Sequence, residues 1–151
     1  MQGFSYGEFL IVITLTVITT LGITGSLIRF THDQAPQQAA RAIRATLRDA
    51  AERSIAQEDG LYWGVRFENL PGRDRYILFN SAASNAASPT TSAVTYLSAT
   101  VQFGEPAVAQ NIVFDKITGN LISSSCPSGT ARSTITINTV SVYVYCNGKV
   151  E

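Results

Sequence analysis

The sequence predicts an α+β fold, with one long N-terminal helix packed on an antiparallel β-sheet domain. Three observations carry this prediction. Phe9 to Ile28 is an apolar run without a charge. Gln37 to Gln57 repeats apolar residues at helical spacing. From Leu61 onward, short β-rich segments alternate with turn residues. Helix first and strands afterwards reads as α+β.

The apolar run comes first. At about 1.5 Å per residue it would span roughly 30 Å, the thickness of a bilayer core. Glu8 stands at its outer edge and Arg29 closes the other end. Residues 4–30 are therefore expected to form a transmembrane helix, so the chain passes through a membrane or starts in one. Thr16, Thr20 and Thr24 share one helix face, and Gly22 and Ser26 form a small-xxx-small pair beside it. Two readings stay open for that face: close helix packing in lipid, or hydroxyls bonded to their own i−4 carbonyls. Gly22 and Gly25 weaken the helix locally.

Residues 31–59 are expected to continue as an amphipathic helix. Pro36 should kink or restart it. Ile43, Leu47, Ala50 or Ala51, and Ile55 form the apolar stripe. Arg48–Glu52 and Asp49–Arg53 are i,i+4 pairs. Arg41, Arg44 and Arg48 are interleaved with acids, which reads as a solvated face rather than a nucleic-acid stripe. Gly60 is the expected stop.

Residues 60–151 are expected to be the sheet domain. Leu61 to Phe67 and Arg75 to Asn80 flank the turn Pro71-Gly72-Arg73-Asp74 and read as a hairpin. Ser81 to Ala93 is a Ser/Ala/Asn/Thr-rich loop. Val94 to Phe103 reads as one strand and Asn111 to Asp115 as the next, with Thr118-Gly119-Asn120 turning into Leu121-Ile122. Thr134 to Ile137 and Val140 to Cys146 form the last hairpin. Asn147-Gly148 turns the final residues back.

Bulk properties narrow the function. The chain has 151 residues with 11 basic and 11 acidic side chains. Without the apolar segment about 120 residues remain, enough for one compact domain. Zero formal net charge argues against a dedicated nucleic-acid binder. Cys126 and Cys146 are the two cysteines. Their even number and an exported context favour a disulfide, with two buried free thiols as the alternative. No catalytic constellation emerges. His32 is the single histidine, zinc-ligand spacing is absent, and the glycines fall at turns. The expectation is no enzyme, no cofactor and no metal. Trp63 and the tyrosines read as packing residues.

Three readings fit the N-terminus. A secretory signal needs a basic n-region, which is lacking, although Gly22 to Ser26 offers a weak cleavage site. A plain anchor fits by length. The third reading rests on Gly3-Phe4-Ser5-Tyr6-Gly7-Glu8, followed by the apolar run. This stretch resembles the class III signal of type IV pilins and pseudopilins. That family has a leader ending in Gly, then usually Phe, with Glu as the fifth mature residue. The leader here, residues 1–3, carries no basic residue, and Gly7 stands where the family commonly has a larger apolar side chain. The helix-then-sheet order is similar to the pilin shape. Gly60 to Phe67, Phe114 to Gly119 and the terminal Asn147 to Val150 are similar to the pseudopilin H and minor-pilin T group.

The resemblance implies a structural subunit of a type IV pilus or a type II secretion pseudopilus. It implies cleavage between Gly3 and Phe4 by a prepilin peptidase, with N-methylation of Phe4. In a filament, Glu8 of one subunit would neutralise the Phe4 amine of its neighbour, since buried charges need pairing. The implied partners are other subunits, related minor pilins, the peptidase, an inner-membrane assembly platform and membrane lipid. The resemblance implies a single-pass precursor in the inner membrane and then an extracellular or periplasmic filament. Some members of the minor-pilin T group bind DNA through a basic C-terminal region. The C-terminus here, Asn147 to Glu151, has one Lys and a terminal Glu, which argues against DNA. Arg73, Arg75 and Arg132 are the residues on which a DNA-uptake role would depend. The rival class is a secreted or anchored β-domain acting as a binding module.

Overall fold

The structure is a computed structural model that describes residues 6–86, 88–107, 109–122, 125–126 and 131–151, the side chains of 20–33 excepted. The chain divides into two units, Met1–Gln34 and Ala35–Glu151.

Helix α1 is Tyr6–Ile55, with Pro36 inside it. Its side chains are described in two short stretches, 6–19 and 34–55. In the first, every side chain is exposed. Thr14, Thr16 and Thr19 each donate to the carbonyl four residues back, at 2.8, 2.7 and 2.9 Å. Thr16 therefore follows the back-bonding reading, while the side chains of Thr20, Gly22, Thr24, Ser26, Arg29 and His32 lie outside the described ones.

Two expectations are corrected here. Among the described residues, no helix is long and apolar enough to cross a membrane. The stretch 6–19 covers only about 20 Å of helix, short of a bilayer core, and three hydroxyls interrupt it. The transmembrane half of the predicted helix and the single-pass inner-membrane precursor are thus not supported. The predicted long N-terminal helix packed on the sheet is corrected as well. In the unit Ala35–Glu151 a short helical stretch packs against strands, and the fold is mostly antiparallel β.

That short stretch is rich in alanine, a strong helix former. Ala40, Ile43, Leu47, Ala50 and Ser54 are buried, a 3-4-3-4 spacing that follows the helical period. Ile55, expected in the stripe, is 51 % exposed. Ser54 takes its place, because its hydroxyl donates to the Phe114 carbonyl at 2.8 Å. The helix ends at Ile55 rather than at Gly60, and Gln57 follows with a left-handed φ of 53°. Arg53 pairs with Asp49 at 2.9 Å as expected. Arg44 and Arg48 do not form a merely solvated face. They donate to the carbonyls of Ser141 and Val150, at 3.3 and 3.2 Å, and tie the helix to the end of the chain.

The strands are β1 Tyr62–Glu68, β2 Arg75–Ser81, β3 Thr90–Tyr96, β4 Phe103–Glu105, β5 Gln110–Val113, β6 Arg132–Ile137 and β7 Val140–Tyr145. One sheet has the order β3-β2-β1-β5 and the other β4-β6-β7. Both predicted hairpins are present, β1 with β2 and β6 with β7, each antiparallel. The single strand expected from Val94 to Phe103 is split between the two sheets. Leu97 N–H donates to the Asp74 carbonyl at 2.9 Å and Val101 N–H to the Ser98 carbonyl at 2.9 Å, so the chain turns between them.

One core joins the helix and both sheets, with Ile43, Leu47, Val65, Phe67, Ile112, Phe114, Ile135 and Val142 fully buried. Phe103 meets Phe67 edge-on at 5.5 Å between ring centroids. A smaller cluster of Phe79, Ala86 and Val113 forms separately. Strands β1 and β2 thus bury side chains on both faces, which explains their imperfect alternation. Gly64 permits the close approach of β5, since a Cβ there would lie 2.5 Å from the Ile112 carbonyl oxygen.

Candidate functional site

Gly3 and Phe4, the predicted processing residues, lie outside the described residues. Glu8 is described and sits in the first turn of α1, exposed. On either side of it in the chain, Tyr6, Phe9, Ile11, Leu15 and Ile18 are 57 to 78 % exposed. At 100° per residue these positions point to several sides of the helix. A helix that is apolar all round is normally enclosed. The unit holding Glu8 therefore presents a surface that water solvates poorly.

The cysteines are brought together as expected: Cys126 and Cys146 are bonded, with Cα atoms 5.6 Å apart. Cys146 follows β7, and its carbonyl accepts from Leu121 N–H at 3.0 Å. Cys126 closes a turn onto the Ile122 carbonyl at 3.1 Å. Ser125 in that turn is buried, and its hydroxyl accepts from Val113 N–H at 2.9 Å. The bridge thus fastens the edge of one sheet to the end of the other.

The three arginines on which DNA contact would depend are engaged within the chain. Arg73 donates to the Leu97 carbonyl at 2.6 Å and lies 5.5 Å from the Tyr96 ring centre. Arg75 donates to Glu68 at 2.6 Å, and this bond holds its pKa above the ordinary guanidinium value. Arg132 stacks on Tyr143 at 4.1 Å. At the C-terminus Lys149 pairs with Glu151, which lowers the Glu151 pKa; Tyr145 Oη adds a hydrogen bond at 3.0 Å.

Trp63 is buried, donates to the Glu58 carbonyl at 3.3 Å and lies under Arg53. Tyr62 is covered by Lys116, 4.3 Å from its ring centre. Asp115 organises the turn after β5: the Thr118 hydroxyl and backbone N–H both donate to it, which lowers its pKa.

Asp74 was legible only as a turn residue, yet it is buried. Its Oδ1 accepts from Leu70 N–H at 3.0 Å and its Oδ2 from Phe103 N–H at 2.5 Å. No local signal marks that burial: Arg75 separates Asp74 from the apolar run Tyr76 to Phe79, and the Phe103 donor lies 29 positions away. An open groove of about 390 Å³ runs beside Ala35, Ala39 and Ala42 on the helix and Tyr76, Thr95 and Tyr96 on the sheet. Its lining holds no carboxylate, histidine or cation, so it offers no acid–base pair. Among the described residues no group of His, Cys, Asp and Glu gathers to hold a metal ion.

Comparison of the chain with family models, curated proteins and solved structures found no match.

Proposed function

We propose that this chain is a self-assembling structural subunit of the type IV pilin or pseudopilin kind, cut after Gly3 by a prepilin peptidase and assembled through its N-terminal helix. The observation that carries the reading is the exposed apolar stretch 6–19, directly behind Gly3-Phe4 and holding Glu8 in its first turn. Apolar groups on several sides of one helix need several neighbours to cover them. Copies of the same helix, packed side by side in a filament core, supply that cover. In such a core Glu8 of one subunit would pair with the α-amine created at Phe4 of its neighbour, as the family resemblance implies. The disulfide-fastened domain is the part that such a filament would display. The related minor pilins and an assembly platform remain partners of the same proposal.

Glu8→Ala tests it in cells that assemble the wild-type protein. The variant is expected to accumulate normally and to be cut after Gly3, yet to yield no filaments or pulled-down complexes of the chain. Wild-type amounts of assembled Glu8→Ala would sink the reading.

A further inference from the structure

Four sheet edges are described, and three are blunted by the chain itself. The outer edge of β5 is met by Ile122 N–H, which donates to the Val113 carbonyl at 3.1 Å, and by the Ser125 hydroxyl. The outer edge of β7 is closed by the C-terminus, where Tyr143 and Glu151 exchange two backbone hydrogen bonds, at 2.8 and 2.9 Å. Strand β4 has three residues and is followed by Pro106, two ordinary ways to protect an edge.

Strand β3 is the exception. Its seven residues, Thr90–Tyr96, are all exposed, and none is charged or proline. Among the described residues its backbone pairs with β2 and with nothing beyond. An uncharged edge of this length, rich in β-branched side chains, is a template for another strand. Its one irregularity lies towards its start, where the register jumps and leaves Ser92 without a counterpart on β2.

We propose that β3 is a homotypic interface, at which β3 of a second copy adds antiparallel to it and joins two sheets into one. A two-fold axis through such a pair must pass at one residue, since opposite residues share a face. Centring it on Val94 places Val94 against Val94, Ala93 against Thr95, and Ser92 against Tyr96. Each large or branched side chain then meets an apolar or small one, and the irregularity falls at the rim. Val94 and Tyr96, now 43 and 49 % exposed, become covered.

Charge favours a second copy as the occupant. The cations nearest β3 are Arg73 and Arg75, both beside Tyr96. The antiparallel arrangement sets them against the Thr90 end of the other copy, where the β2 neighbour is Asn80. No like charges meet, and a chain of zero formal net charge is not repelled by its copy. The β3 pairing does not depend on the assembly proposed for the stretch 6–19.

Cysteine placement in the full-length chain reads the register directly. The two native cysteines are bonded to each other, so an added thiol is free of competition. Val94→Cys is expected to form a disulfide-linked dimer under mild oxidation. Ala93→Cys and Thr95→Cys alone are expected to stay unlinked, and to link when mixed. Val94→Lys and Val94→Glu are each expected to weaken dimerisation at least about tenfold, while their equimolar mixture restores it. A Val94→Cys chain that remains monomeric would overturn the proposal. So would equal linking by Ala93→Cys alone, or full dimerisation of Val94→Lys with an unchanged melting temperature.

Discussion

Asp74 is a buried carboxylate that holds two chain reversals at once. It fixes the β1–β2 turn through Leu70 N–H and the entry to β4 through Phe103 N–H. Removing it leaves two backbone donors without their acceptor. Asp74→Ala is expected to lower unfolding stability by about 3 kcal/mol, measured by urea titration. A loss within experimental error would show that water replaces the carboxylate freely. The turn is legible in the sequence but this role is not, because the second donor lies 29 positions further along. The same limit hid Ser54, whose hydroxyl is buried against the Phe114 carbonyl. Gly148 was legible, since Asn-Gly favours a turn. Its φ is 82°, and a Cβ would collide with the Gly119 carbonyl oxygen.

At the scale of elements, alternation and turn residues located most strands. Both hairpins follow from apolar runs separated by short turns, and pairing across them needs no distant information. The chain between Val94 and Phe103 was different. Nothing local marks the switch from one sheet to the other, because it depends on Asp74 accepting from Phe103. The helix was legible in type but its face was shifted by one position at the end. Ile43, Leu47 and Ala50 are buried, whereas Ile55 points outward and Ser54 inward. A direct contrast checks that face. Leu47→Ala should cost about 3 kcal/mol, as a cavity in the core. Ile55→Ala should cost less than about 1 kcal/mol. Equal costs, from thermal or urea unfolding, would place Ile55 in the core after all. The arginines show the opposite error: acids interleaved with Arg44 and Arg48 suggested solvent, yet two backbone carbonyls recruit them.

For the whole molecule, the decisive contrast lies between its two units. Ala35–Glu151 encloses most of its apolar side chains around one main core and is fastened by a disulfide. The stretch 6–19 leaves its own exposed. A hydrophobic run was legible from the start, but its expected membrane span is not supported among the described residues. What remains is an exposed apolar surface, placed in the sequence behind Gly3-Phe4 and carrying Glu8. The self-assembly proposed above would account for those residues together. The mature N-terminus, read by mass spectrometry of the protein from cells that process it, tests this most directly. Cleavage after Gly3 predicts a chain that lacks Met1 to Gly3 and begins at N-methylated Phe4. An intact Met1, or a start near Ser26, would contradict it.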